Sequence, residues 1–365
     1  MKFKCNKNYI LNEITITQSI ISSRNALSIL SNVLLEADNN LLTIKATDLK
    51  IGFETQIPVS VEEAGSTTVF CDKLFGILKS MPEGDINFYV EKQELIISSD
   101  DNKIVFKLKV IESEKFPALK TVSNNNYFSV PQKEFIEMIT QTSFAVSDDE
   151  TRYFMNGVFL EKKDNSFIMV ATDGRRLSFI KKELESVPEN LESSIIPVKI
   201  LGLIKKLATG EGEFLIAISE KTIFIKFDNN KIYSNLIEGQ FPNYQRVIPE
   251  KQENTAILSK ADFLSALKRV SVLVEQKAKR IYIKFYEGSI DIYIETEIGA
   301  AKETLACEYS GPDFTLVINH DYLQDPIEVM EEEDVSVNFT DPSKAVTLSS
   351  VPEKEYFHIV MPMQI

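Results

Sequence analysis

An α+β protein built from three copies of one domain, each with two helices on antiparallel sheets, is what this sequence predicts. Three observations carry that prediction. A short strand feeding an amphipathic helix recurs at offsets of 125 and 128 residues. Strands separated by turn signals follow each of these helices, and a second helix-like stretch appears in each third of the chain.

The first opener is Phe3-Lys4-Cys5, followed by Ile10, Leu11 and Ile14 at helical spacing. The second is Phe128-Ser129-Val130 with Phe135, Ile136 and Ile139, and Pro131 sits near the helix start. The third is Ala256-Ile257-Leu258 with Phe263, Leu264 and Leu267, and Ser259 is its expected N-cap. Strand pairs follow around the turns Asp38-Asn39-Asn40, Lys163-Asp164-Asn165 and Glu287-Gly288, and each is expected to continue into a third strand. The second helices are expected over Asp72–Met81, Val198–Leu207 and His320–Met330. Each leads into a meander: one turning at 101–103 and ending at Phe116-Pro117, one turning at 229–231 and ending at Phe241-Pro242, and one made of 335–339, 345–348 and 356–360. The predicted unit is therefore strand–helix–three strands, twice, with domains at 1–125, 126–253 and 254–365. A tripeptide marks the repeat most sharply: Ala46-Thr47-Asp48 returns as Ala171-Thr172-Asp173.

Composition narrows the function. No apolar run approaches the roughly 20 residues that span a bilayer, and the N-terminus lacks the apolar core of a signal peptide. Cys5, Cys71 and Cys307 are far apart and odd in number, which argues against a disulfide framework or zinc site. A cytoplasmic protein is the simple reading, with no membrane partner. There is no GxGxxG, P-loop, HExxH or CxxC, and His320 and His358 are the only histidines. With no catalytic constellation and no cofactor motif, a binding or scaffolding role is expected: not an enzyme, with no metal and no cofactor.

A net charge of −14 opposes broad affinity for nucleic acid unless the basic residues gather on one face. Arg24, Lys73, Lys79, Lys199, Lys205, Lys206, Lys268 and Arg269 all fall in or beside the helical stretches. Acid concentrates in Glu331–Asp334 and in 183–192. Six helices per chain, on equivalent repeats, would line a hole if two chains closed head to tail. Twelve helices spaced about 9 Å apart set a circle roughly 34 Å across. Removing a helix thickness of about 10 Å leaves about 24 Å, room for a duplex. An open solenoid or a flat disc of repeats that binds proteins without encircling DNA is the alternative geometry.

Several local motifs carry a resemblance: Thr151-Arg152-Tyr153-Phe154-Met155-Asn156-Gly157, 171–177, Phe241-Pro242-Asn243-Tyr244, Arg246-Val247-Ile248-Pro249 and Val360-Met361-Pro362-Met363. With these the chain resembles, over its full length, the bacterial sliding clamps, the beta subunits of DNA polymerase III. The resemblance implies a DNA clamp fold and a head-to-tail homodimer forming a ring around duplex DNA, without sequence preference. It implies tethering of the polymerase III alpha subunit, the clamp loader and other polymerases or repair proteins through short linear motifs, typically Gln-Leu followed by apolar residues.

Carried over by position, the peptide pocket comprises Met155, Thr172, Gly174, Arg175, Arg176, Leu177, Pro242, Arg246, Val247, Val346, Val360, Met361, Pro362 and Met363. Met and Val would give it an adaptable apolar floor. Gly174 would admit a close backbone approach. Arg176 and Arg246 would present forked donors to a peptide, and Pro242 and Pro362 would fix the local backbone. The DNA side would include Arg24, Lys73, Arg152, Tyr153 and Lys199. The dimer interface would pair Phe106 and Leu108 with Val272 and Leu273. Three departures stand out: Arg175 where many members carry His, the tail Gln364-Ile365, and Asp149 where a neutral side chain is common.

Overall fold

The computed structural model describes residues 1–21, 29–275 and 278–363. Its α-helices are α1 (Lys7–Ile20), α2 (Cys71–Ser80), α3 (Gln132–Thr142), α4 (Val198–Leu207), α5 (Lys260–Val270) and α6 (His320–Val329). They stand where the periodicity placed them, and three of them carry side-chain caps. Asn6 accepts from Asn8 N, Ser259 from Asp262 N and Asn319 from Asp321 N, each satisfying an orphan donor of a first turn.

Every repeat carries the strands expected of it, and the first carries one more. Ser60–Glu63 pairs with the opening strand Lys2–Asn6. It is short, has Val61 as its single apolar residue, and so shows no alternation to detect.

Contacts divide the chain into two compact units. The first comprises Met1–Ser129 and Glu213–Leu236. Its sheet runs in the order 213–219, 222–227, 230–235, 51–58, 41–47, 32–38, 65–70, 105–111, 94–99, 85–91, 2–6, 60–63. The last strands of the second repeat join this unit because Asn230–Asn235 pairs antiparallel with Ile51–Pro58, setting Tyr233 opposite Gly52. A Cβ on Gly52 would meet the Tyr233 ring at 2.1 Å, so only glycine fits beneath that ring. Phe3, Phe53, Phe88, Ile10 and Ile14 are fully buried in this unit. At about 1.5–3 kcal/mol for each buried side chain of this size, they hold α1 against the strands.

The second unit comprises Val130–Gly212 and Ile237–Ile365. One of its sheets runs 194–197, 157–163, 166–172, 176–183, 356–360, 346–351, 334–339, 254–259, and the other runs 299–306, 289–296, 280–286, 314–319. The first of these sheets crosses from the second repeat to the third at Arg176–Glu183 against Tyr356–Val360, with Leu177 opposite Ile359. This is the same device as the pairing of 51–58 with 230–235: the third strand of one repeat takes up the last strand of the next. In the second unit α3 packs against α4, and α5 against α6. Among the described residues no helix is long and apolar enough to cross a membrane.

Candidate partner-binding cleft

The tripeptide repeat builds the same turn twice. In the first copy Thr47 Oγ1 donates to Ile51 O (2.8 Å), while Asp48 Oδ1 accepts from Lys50 N (3.0 Å) and Ile51 N (2.7 Å). In the second, Thr172 Oγ1 donates to Arg176 O (2.6 Å), and Asp173 Oδ1 accepts from Arg175 N (2.8 Å) and Arg176 N (3.0 Å). Threonine and aspartate side chains thus replace the backbone partners that a tight turn leaves unpaired. The residue after Asp sits at positive φ in both copies, Leu49 at 71° and Gly174 at 88°. Glycine removes that strain in the second copy. Gly174 therefore serves the turn itself, and a Cβ there would also press to 2.9 Å from Arg152 Nη1.

Above this second turn lies a cleft of about 300 Å³ within the second unit. Met155, Thr172, Gly174, Arg175, Arg176, Leu177, Pro242, Val247 and Met361 line it, joined by Asn243, Tyr244 and Ile359. Leu177 and Met155 are buried, whereas Val247 and Met361 are 51% and 39% exposed at its margin. The C-terminal segment is fastened beside it, since Met361 N donates to Arg175 O (2.9 Å) and Met363 N to Val317 O (2.7 Å).

Five of the residues expected in the pocket fall outside the lining. Arg246 is solvent-exposed and Pro362 and Met363 are half-buried, while Val346 and Val360 are buried and pair with each other across the sheet. Alternation along Tyr356–Val360 explains the last of these, because Ile359 takes the cleft-facing position and Val360 the next. Asn243 and Tyr244 were present in the Phe-Pro-Asn-Tyr motif, so the signal for them existed. Tyr244 Oη donates to Glu161 Oε1, and burial first, then this bond, raises the phenol above its ordinary range.

The expectation for Arg176 needs correction. Its fork does not face outward: Nε donates to Asp173 Oδ2 (3.2 Å), Nη1 to Asp325 Oδ2 of α6 (2.5 Å) and Nη2 to Phe144 O (2.7 Å). The guanidinium also lies 4.8 Å from the Tyr322 ring centroid and 5.7 Å from that of Phe144. Arg176 is a strut tying the cleft to α6, and the exposed Arg175 is the cation at the cleft itself.

Of the residues assigned to DNA, Arg24 lies outside the described residues. Lys73 on α2, Lys199 on α4, and Arg152 and Tyr153 in the turn 150–155 are exposed. Arg152 Nε pairs with Asp149 Oδ2 at 2.9 Å. The Asp149 carboxyl is held below its ordinary range, foremost by the bond from the Thr151 hydroxyl. Lys268 pairs with Glu328 (2.8 Å) and Arg269 with Glu303 (2.5 Å), whereas Lys205 and Lys206 are exposed. Gln364 and Ile365 also lie outside the described residues.

Two strand edges complete the inventory. Residues 105–109 pair on one side with 94–98, and on the other side the strand is joined, among the described residues, at Val110 and Ile111 only. Phe106 and Leu108 on it are half-buried against the first unit's core. In the second unit, Gly299–Ala306 is the outer strand of its four-stranded sheet. Val272 is 80% exposed, and Leu273 is half-buried with Cδ1 3.8 Å from where a Gly299 Cβ would stand.

Models of the N-terminal, central and C-terminal domains of the DNA polymerase III beta subunit match residues 1–120, 129–243 and 245–364. A beta sliding clamp from Treponema pallidum is 43% identical over 369 residues, covering all of both chains. Among solved structures, a DNA polymerase III subunit beta from Bartonella birtlesii bound to griselimycin has a TM-score of 0.95 at 27% identity. One from Borrelia burgdorferi in complex with a natural product has a TM-score of 0.93 at 27% identity, and both cover 100% of each chain.

Proposed function

Because the chain belongs to the DNA polymerase III beta subunit family, the beta sliding clamps, we propose that its cleft receives polymerase and repair-protein peptides while two copies encircle duplex DNA. As a sliding clamp it is a processivity factor for DNA polymerase and catalyses nothing itself.

The observation that carries the ring is the pattern of strand edges. Strands 51–58, 176–183 and 299–306 are equivalent in the repeat, as are 105–111, 230–235 and 356–360. Two of the three possible junctions are made within one chain, 51–58 with 230–235 and 176–183 with 356–360. The remaining strands, 299–306 and 105–111, keep the open edges described above. A second copy supplies the missing partner for each, which closes a head-to-tail dimer and removes two edges that would otherwise invite aggregation. Val272 and Leu273 beside one edge, and Phe106 and Leu108 on the other, supply the apolar contact. The functional repeats are 1–125, 126–253 and 254–365.

Lys73, Lys199, Arg152 and Tyr153 face the duplex in this reading, giving sequence-independent, salt-sensitive contacts. Asp149 weakens the contribution of Arg152 by pairing with it. The cleft takes apolar side chains of a linear motif on Leu177, Met155 and Val247, with Arg175 and the backbone of 174–175 near the peptide. The polymerase III alpha subunit and the clamp loader are the expected users, in the cytoplasm. The test is retention on circular DNA: the protein stays on a nicked circle and leaves after linearisation. Equal loss from both forms overturns the ring.

A further inference from the structure

The first unit holds a cleft of its own, about 700 Å³, between α1, the strand Ile51–Pro58 and the turn 228–230. Leu11, Ile57 and Pro58 give it apolar wall, and Asn12, Glu13 and Asn230 give it acceptors. Two of those acceptors, Glu13 Oε2 and Asn230 Oδ1, are buried without a hydrogen-bond partner among the described residues. A buried acceptor left unpaired is costly enough that native structures rarely keep one without a reason.

The repeat shows what fills the equivalent place. α1 and α3 begin at Lys7 and Gln132, and the strands packed on them begin at Ile51 and Arg176, the same offset. Ile57 therefore corresponds to Lys182, and Tyr9 and Asn12 to Glu134 and Glu137, while Glu13 corresponds to Met138 and is a carboxylate particular to the first repeat. In the second unit the Lys182 ammonium reaches from strand to helix and sits 2.9 Å from Glu134 and 2.7 Å from Glu137, largely buried. In the third repeat a helix-to-strand ion pair stands at a different position, Arg269 of α5 on Glu303 of Gly299–Ala306. Among the described residues no cation ties α1 to Ile51–Pro58, although α1 turns Glu13 towards Thr55 of that strand. Burial pushes the Glu13 carboxyl above its ordinary range, as expected for a carboxylate without a countercharge.

We propose that this cleft binds a cationic group from outside, a guanidinium or primary ammonium on a short apolar stem, with Glu13 and Asn230 as its acceptors. The stem would lie on Ile57 and Pro58, and the acceptors would take its N–H groups. The group comes either from an arginine or lysine side chain of a protein partner or from a free small diamine.

Calorimetric titration of the full-length protein separates the outcomes, with agmatine, putrescine and a doubly capped arginine dipeptide as probes. Saturable binding is expected, at least tenfold weaker in Glu13→Gln and absent in Ile57→Lys, which supplies the cation internally. A dipeptide that binds at least tenfold tighter than agmatine assigns the group to a protein side chain, and equal affinities assign it to a free cation. No saturable heat with any probe, or unchanged affinity in Glu13→Gln, overturns the proposal. Glu13→Gln is nearly isosteric and carries the test alone if circular dichroism shows that Ile57→Lys does not fold.

Discussion

Asp325 does not line the proposed partner-binding cleft, yet replacing it should change both stability and peptide affinity. The reason is Arg176, whose side chain is 13% exposed and whose donors are spent on Asp173, Asp325 and Phe144 O. Removing one partner of a buried pair costs about 3–5 kcal/mol, because the other charge is stranded. Asp173 is 16% exposed and stays stranded when Arg176 is removed, but Asp325 is 34% exposed and water recovers part of its loss. Arg176→Met should therefore cost about 3 kcal/mol, near the low end of that range. Asp325→Asn keeps a hydrogen-bond acceptor and leaves Asp173 to balance the guanidinium, so about 1 kcal/mol is expected, within the usual worth of one net hydrogen bond. The two changes touch one interaction, so the double variant should fall short of their sum by about 1 kcal/mol or more. Urea unfolding of the four proteins gives the cycle, and fluorescence anisotropy with a labelled Gln-Leu motif peptide reads the cleft. Asp325→Asn should weaken the peptide several-fold by releasing the strut under Arg175 and Leu177. Strict additivity in urea, together with unchanged anisotropy for Asp325→Asn, would refute the strut.

Deleting residues 361–365 removes Met361 from the cleft and the bonds Met361 N to Arg175 O and Met363 N to Val317 O; peptide affinity should fall more than tenfold while sedimentation still shows a dimer. Leu273→Asp places a charge at the proposed subunit contact and should give monomers by analytical ultracentrifugation, with a dimer at micromolar concentration contradicting that interface. His358 is fully buried, with Nδ1 3.0 Å from Ser178 Oγ, and burial lowers its pKa from 6.5 to about 3. Between those values the unfolded chain binds a proton that the native state refuses, so this contribution is complete above pH 6.5 and lost as pH falls towards 3. His358→Phe should flatten the stability–pH slope by up to about 1.4 kcal/mol per pH unit in that window, and identical slopes in urea titrations at pH 4.5 and 6 would exclude the assignment.

The fold was legible where periodicity is strong and local. Helix α4 matches its expected bounds, and Ser259 caps α5 as its position suggested. Ser60–Glu63 escaped because four residues with one apolar side chain carry no period. Nine of the residues that the motifs assigned to the pocket line the cleft, and the motifs were silent wherever a side chain's role depends on a distant partner. Nothing near Arg176 in sequence announces Asp325, 149 positions away, or the carbonyl of Phe144. The choice of Val360 over Ile359 has the same origin. Which face of a strand looks into a cleft is set by register against its neighbour, here Leu177 opposite Ile359, and a single sequence does not contain that register.

The two copies of the Thr-Asp turn show why one cleft is open and its counterpart is not. The scaffold is conserved between them bond for bond, so the turn itself confers no binding. Two neighbours differ. Where the second copy has Leu177 facing Ile359, the first has Gly52 facing Tyr233, and the ring occupies the space a side chain would take. Tyr233 Oη then comes within 3.5 Å of Thr47 Oγ1, turning the counterpart surface inward as core. At the turn, Leu49 accepts a strained positive φ, whereas Gly174 adopts it freely and leaves bare backbone beside the cleft. Filling one site with an aromatic ring and baring the other with a glycine makes two equivalent junctions unlike. The first junction becomes a filled joint of the sheet, and the second a joint with an open cleft, the proposed docking surface.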